Sequence, residues 1–198
     1  MNWFEALLLG ILQGLTEFLP ISSSGHLELG SYFLKTDNAD NLLFTVIVHF
    51  ATAISILYVF KNDIKKLIHS MLKFEKNSET IFISKILISA IPVVIVGIFF
   101  EEKVESLFNG DIILVGSMLL ITALLLIFTY FQKNNSKNEI SYYDALIIGI
   151  AQAFAIIPGI SRSGATISTA LFLKINKKEA TRFSFLMVLI PIFGIAFL

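Results

Sequence analysis

Gln13-Gly14-Leu15-Thr16-Glu17-Phe18-Leu19-Pro20-Ile21-Ser22-Ser23-Ser24-Gly25-His26 lies in the middle of an apolar stretch, Trp3 to Leu34, and its reading decides the fold. A proline, three consecutive serines and a glycine interrupt what would otherwise continue as one helix. The leg after the break is short: Ile21 to Leu34 as a helix covers about 21 Å, against a bilayer core of about 30 Å. Such a leg does not cross. The stretch predicts a re-entrant hairpin that enters and leaves by one face. Its irregular tip must lie inside protein, because lipid satisfies no free backbone group.

The rest of the chain fits a bilayer. Of 198 residues, 56% are hydrophobic and 15% charged, against roughly 25% charged in an ordinary globular domain. The net charge is zero, so no general field draws in nucleic acid. Cysteine is absent, which excludes disulfides, thiolate metal sites and cysteine nucleophiles. Met1 to Leu9 lacks the basic start of a signal peptide, so neither a cleaved leader nor a soluble domain is expected. Apolar runs at 42–60, 81–100, 112–130 and 183–198 predict membrane spans. Between the first two, 61–76 places Ile64, Leu67, Ile68, Met71 and Leu72 on one face, the pattern of an amphipathic helix lying on the membrane surface.

Outward from the first hairpin, a second appears 139 residues on. Tyr142 to Lys174 is also apolar and broken by Pro, Gly and Ser; Gln13 falls on Gln152, Ser22 on Ser161, Ser24 on Ser163 and Gly25 on Gly164. Three crossings separate the hairpins, so the second enters from the opposite face, and the two tips are expected to meet near the midplane. The fold expected is an all-α integral membrane protein with an inverted-topology repeat, a single membrane domain over 1–198. Repeat 1 spans about 1–135 (hairpin 3–34, then the spans at 42–60, 81–100 and 112–130). Repeat 2 spans about 142–198 (hairpin 142–174, span 183–198), its remaining crossings missing, as in a C-terminally truncated chain. One face carries Lys35 and Lys103, and the other eleven lysines and Arg182. By the positive-inside bias the lysine-rich loops are cytoplasmic and the N-terminus is outside.

The polar residues left within apolar stretches are the candidate site. An ionised side chain at mid-bilayer costs about 2.5–3.5 kcal/mol on insertion scales, so each asks for a reason. Gln13 and Glu17, four apart, share a helix face and suit a metal or phosphate site. Ser22, Ser23, Ser24 and Gly25 open a helix whose free N–H groups and dipole attract an anion. His26 lies within reach of Ser22 or Ser23 for a hydroxyl–imidazole pair. Arg162, between Ser161 and Ser163 in the second tip, repels its own helix dipole unless an anion intervenes, and phosphate is the natural one. Glu28, His49 and Gln152 weigh less: Glu28 reads as solvated near the interface and His49 as a core histidine.

Those residues carry a resemblance. Gln13 through His26, with Pro158-Gly159-Ile160-Ser161-Arg162-Ser163-Gly164-Ala165-Thr166, resembles the undecaprenyl-diphosphate phosphatase family of the bacitracin-resistance type, found in bacterial inner membranes. The resemblance implies hydrolysis of undecaprenyl diphosphate to the monophosphate, which recycles the lipid carrier of cell-wall synthesis. It implies a divalent cation, Mg2+ or Ca2+, with Glu17 and Gln13 as its ligands. Ser23, His26, Glu17 and Arg162 would be catalytic, and Ser22, Ser24, Gly25, Ser161, Ser163 and Thr166 would bind substrate. Whether Ser23 or His26 takes the phosphoryl group stays open. Gln13 in place of a carboxylate weakens a two-carboxylate metal site. The expected partners are a prenyl diphosphate and membrane lipid, with a homodimer left open and nucleic acid excluded. The rival class is a lipid-phosphate or anion transporter, which would use the same tips without needing an activated nucleophile.

Overall fold

The computed structural model describes residues 1–36, 38–73, 77–108, 110–132 and 137–196, without the side chains of 38–42 and 193–196. The order is α1 (Trp3–Phe18), α2 (Ser23–Leu34), α3 (Asn38–Val59), α4 (Lys61–Leu72), α5 (Ser78–Phe99), α6 (Glu101–Glu105), a 3-10 turn (Ser106–Phe108), α7 (Ile112–Tyr130), α8 (Tyr142–Phe154), α9 (Arg162–Phe172), α10 (Lys177–Met187) and α11 (Leu189–Ala196). Among the described residues the only β pairing is one bridge between Lys137 and Ile175.

Local sequence sets the ends of the two broken segments. Asn2 accepts from the N–H groups of Phe4 and Glu5, and Glu5 accepts from the Asn2 N–H at 2.7 Å, a capping box that starts α1. Ser141 and Asp144 form the same box for α8. Pro20 then holds Leu19 extended (ψ 143°), and α1 stops. Leu9 and Leu12 of α1 pack against Gly30 of α2, where a Cβ would fall 2.7 Å from Leu9 Cδ2.

α5 and α7 are each long and apolar enough to cross a membrane. The segment Leu43–Val59 meets α4 at an 80° bend, which turns the lysine-bearing α4 away from the axis of α3. The run expected to span from 183 to 198 differs from expectation. Its first residues belong to α10, which begins at Lys177 behind an Asn176 cap, and the helix breaks at Val188. Pro191 explains the break, since it can give no N–H to the carbonyl four residues earlier.

A core cluster joins α5, α8, α9 and α10 around Ile86, Ile148, Phe183 and Met187. Outside it, Trp3, Phe33, Ile113, Leu120 and Phe128 stand exposed. So many exposed large apolar side chains are what lipid, rather than water, accommodates. The chain is a multi-pass membrane protein. Its two broken segments meet through glycine: a Cβ on Gly25 would fall 2.9 Å from Gly159 Cα, and one on Gly164 would fall 2.8 Å from the Pro20 carbonyl oxygen. The two contacts are reciprocal, tip on tip, as a two-fold relation between the hairpins requires.

Candidate active site

Each tip ends in a helix start built by serine. Ser22 Oγ accepts from the Gly25 N–H at 3.3 Å, and Ser161 Oγ from the Gly164 N–H at 3.0 Å. Within each tip a second serine stands by the first: Ser22 and Ser24 at 3.3 Å, Ser161 and Ser163 at 3.4 Å. The second tip is anchored from a neighbouring helix. Thr122 of α7 accepts from the Ser161 N–H and donates to the Gly159 carbonyl, both at 3.0 Å, so irregular backbone is satisfied without water.

Glu17 is where the tips join chemically. It is buried, and Gln13 Nε2 donates to its Oε2 at 2.9 Å, while Ser23 Oγ donates to the same oxygen. Arg162 Nη2 donates to the other oxygen, Oε1, at 2.9 Å. A half-buried ion pair is strengthened when further hydrogen bonds satisfy the carboxylate, and Glu17 has them. The pair carries no net charge in the bilayer, which answers the cost of burying either member alone.

A cavity of about 670 Å³ opens over this cluster. Glu17, Ser22, Ser23, Ser24, Ser161, Arg162 and Ser163 line its polar end; Phe50, Ile156, Phe185 and Ile192 are among its apolar walls. A charged head with a hydrocarbon tail matches that division.

Four expected site residues stand outside the cavity lining. His26 does not line the cavity and makes no hydroxyl–imidazole pair: its Nδ1 lies 2.7 Å from the Ser22 carbonyl, while the Ser23 hydroxyl goes to Glu17. A carbonyl only accepts, so Nδ1 donates to it. Gly25 serves the tip-on-tip contact described above. Thr166 is buried behind the cavity, donating to the Arg162 carbonyl at 2.9 Å and sharing a hydrogen bond of 2.5 Å with Ser184. Gln13 backs Glu17 from within α1. Conversely, the cavity wall includes Thr45, His49, Gln152 and Ser184, which the sequence reading left aside. His49, expected in the core, has its Nδ1 on the Thr45 carbonyl at 2.7 Å. A lone imidazole in an uncharged span was its only signal; Gln152 had a better one in its register with Gln13.

Two broken helical segments that bring a carboxylate, a guanidinium and serine hydroxyls into one amphiphilic cavity define a membrane protein that handles a lipid-borne anion. The model of the family described as "Bacitracin resistance protein BacA" matches residues 6–198, and the chain belongs to that family. It is 52% identical over 198 residues to an undecaprenyl-diphosphatase of Bacteroides fragilis, covering 100% of this chain and 74% of the relative. It is 56% identical over 196 residues to an undecaprenyl-diphosphatase of Christiangramia forsetii, with 98% and 74% covered. A relative of the same description from Methanococcus maripaludis is 43% identical over 193 residues, with 96% and 76% covered.

Proposed function

We propose that this chain hydrolyses undecaprenyl diphosphate to undecaprenyl phosphate and inorganic phosphate, using the Glu17 cluster. The activity is that named for relatives similar over nearly the whole chain. The transporter alternative finds no support in them. One observation carries the choice of residues: a single carboxylate receives the Ser23 hydroxyl on one oxygen and the Arg162 guanidinium on the other.

In that arrangement Glu17 is a base in contact with a nucleophile. Ser23 Oγ passes its proton to Glu17 and attacks the terminal phosphorus. The bond to the bridging oxygen breaks, and the prenyl phosphate leaves and takes up the proton. Water then attacks the phosphoserine, the Ser–O–P bond breaks, inorganic phosphate departs and Ser23 regains a proton. Arg162 offers the charge that developing phosphoryl oxygens require, and the N–H groups that start α2 and α9 add their dipoles. His26, one turn behind the Ser22–Ser24 run, is the second candidate proton carrier.

The donor set suits a hard divalent cation. Gln13 Oε1 is buried with no partner and belongs to the residue that backs Glu17, so carboxylate, carboxamide and hydroxyl oxygens are grouped at one place. Glu17 and Gln13 would hold Mg2+ or Ca2+ together with substrate phosphates. The cation would neutralise charge on the transferring phosphoryl group. Among the described residues no cluster of three or more acidic, histidine or cysteine side chains is present, so the substrate would supply part of the coordination.

We place the protein in the bacterial inner membrane as an inverted repeat. The hairpins 3–34 and 142–174 enter from opposite faces, the lysine-rich loops are cytoplasmic and the N-terminus lies outside. With no native cysteine, Ser106→Cys should label from outside intact cells and Lys178→Cys should not; the reverse would overturn the orientation.

The decisive experiment measures phosphate release and prenyl diphosphate binding side by side, with and without EDTA, for wild type, Ser23→Ala and His26→Ala. Ser23→Ala should lose several orders of magnitude in turnover with little loss of affinity, because its contribution is made in the transition state. Wild-type turnover in Ser23→Ala, with His26→Ala inactive, would make histidine the phosphoryl acceptor.

A further inference from the structure

Gln152 sits on α8 at the position that corresponds to Gln13 on α1, and the two amides fare differently. Gln13 donates to Glu17 at 2.9 Å. Four residues after Gln152, where a carboxylate would correspond to Glu17, stands Ile156. Gln152 is only 1% exposed, and neither its Nε2 nor its Oε1 has a hydrogen-bond partner. It nevertheless lines the cavity with Ser161 and Arg162. A buried amide with both groups unsatisfied is costly, and a leucine of similar size would avoid that cost. Its place on the cavity wall puts the missing partners where a ligand can supply them.

We propose that Gln152 is a substrate-contact residue: its Nε2–H donates to a phosphoryl oxygen of the bound diphosphate, and its Oε1 accepts from the water that hydrolysis consumes. The direction of each bond follows from the partners. Ionised phosphate oxygens only accept, so the NH2 end must meet them. The carbonyl end can only receive an O–H or N–H, and water is the donor that the reaction itself brings. No proton leaves the amide and no covalent bond to it forms. The residue holds two reactants in register, which is where positioning lowers a barrier. A site built to hydrogen-bond its ligand also rejects ligands that leave it unpaired, so Gln152 would disfavour a neutral prenyl alcohol in the same cavity.

The water contact rests on the hydrolase reading above; the phosphate contact does not. The test uses the full chain in detergent with farnesyl diphosphate as probe, comparing wild type, Gln152→Leu and Gln152→Glu by affinity, phosphate release and thermal midpoint. Gln152→Glu keeps the shape but replaces the donor with a carboxylate, and affinity should fall at least about tenfold, as expected for a hydrogen bond to a charged group. Gln152→Leu should lose affinity to a similar extent and show a further drop in turnover at saturation, while its thermal midpoint equals or exceeds that of wild type. Unchanged affinity in Gln152→Leu would overturn the proposal. So would a lowered midpoint in Gln152→Leu combined with wild-type affinity in Gln152→Glu, which would make the amide a packing element. Wild-type protein that binds the probe but releases no phosphate would sink the hydrolase reading, and the affinities would still decide the phosphate contact.

Discussion

The hairpin of α1 and α2 and the hairpin of α8 and α9 share several backbone devices at corresponding positions and differ in their chemistry. Asn2 and Ser141 open them with capping boxes, Ser22 and Ser161 cap their second helices, and Gly25 and Gly164 meet the opposite tip. Lys35 and Lys174 follow those second helices at φ of 55° and 67°. Then the correspondence stops. Glu17 stands where the other hairpin has Ile156, Ser23 where it has Arg162, and His26 where it has Ala165. A symmetric frame brings two helix N-termini together, and that suffices to attract an anion. A nucleophile facing a positive clamp requires the halves to differ. The frame binds; the departures from it do the chemistry.

The largest expected effect breaks the pivot of that comparison. Glu17→Gln leaves the half-buried Arg162 without its counter-charge and Ser23 without a base. Phosphate release should fall by more than a thousandfold, and the lost partner should cost about 1–3 kcal/mol in stability. Adding Ile156→Glu to Glu17→Ile moves the carboxylate to the corresponding place; the thermal midpoint should recover relative to Glu17→Ile alone, while turnover stays low. Next comes Arg162→Lys, which keeps the charge but loses the planar fork, and activity should drop well over tenfold. Near-wild-type turnover would make Arg162 a point charge only.

Smaller effects sharpen the geometry. Gly25→Ala and Gly164→Ala meet opposing backbone atoms at 2.9 Å and 2.8 Å, so denaturation in detergent should show each to be destabilised, by about 1–3 kcal/mol. Similar losses from both would support the reciprocal contact; a loss from one alone would argue against it. Least of all, Gly10→Ala has nothing within 4 Å of the new methyl and should be neutral or stabilising by about 0.5–1 kcal/mol. Its counterpart Gly149→Ala should not be neutral, because the methyl would collide with the Ser89 backbone.

Much of this was legible in the residues because apolar length and helix breakers act locally. The run 112–130 is helix over the same residues, Ile112–Tyr130, and Pro20 and Pro158 mark the breaks between helices. Pro191 was equally visible, yet 183–198 read as one span, since hydropathy is blind to a missing N–H. The site was legible as a set of polar residues but not as a set of bonds. Nothing in the spacing of Ser23 and His26 shows that the hydroxyl turns to Glu17 while the imidazole takes the Ser22 carbonyl. His49 is satisfied by the Thr45 carbonyl, as a structural histidine would be, and it also lines the cavity; the sequence does not show the second, because the facing wall comes from α8 and α10, far later in the chain.

That distance along the chain has a consequence in time. Glu17 and its counter-ion Arg162 are 145 residues apart. At roughly 5–20 residues per second, synthesis reaches the arginine about seven to thirty seconds after the glutamate. Throughout that interval the nascent first hairpin holds its carboxylate before the guanidinium that pairs with it has been made. Its seat in the membrane is therefore provisional until the second hairpin arrives. A ribosome that stalls before Arg162 would leave behind a segment that membrane quality control can recognise by one unpaired charge.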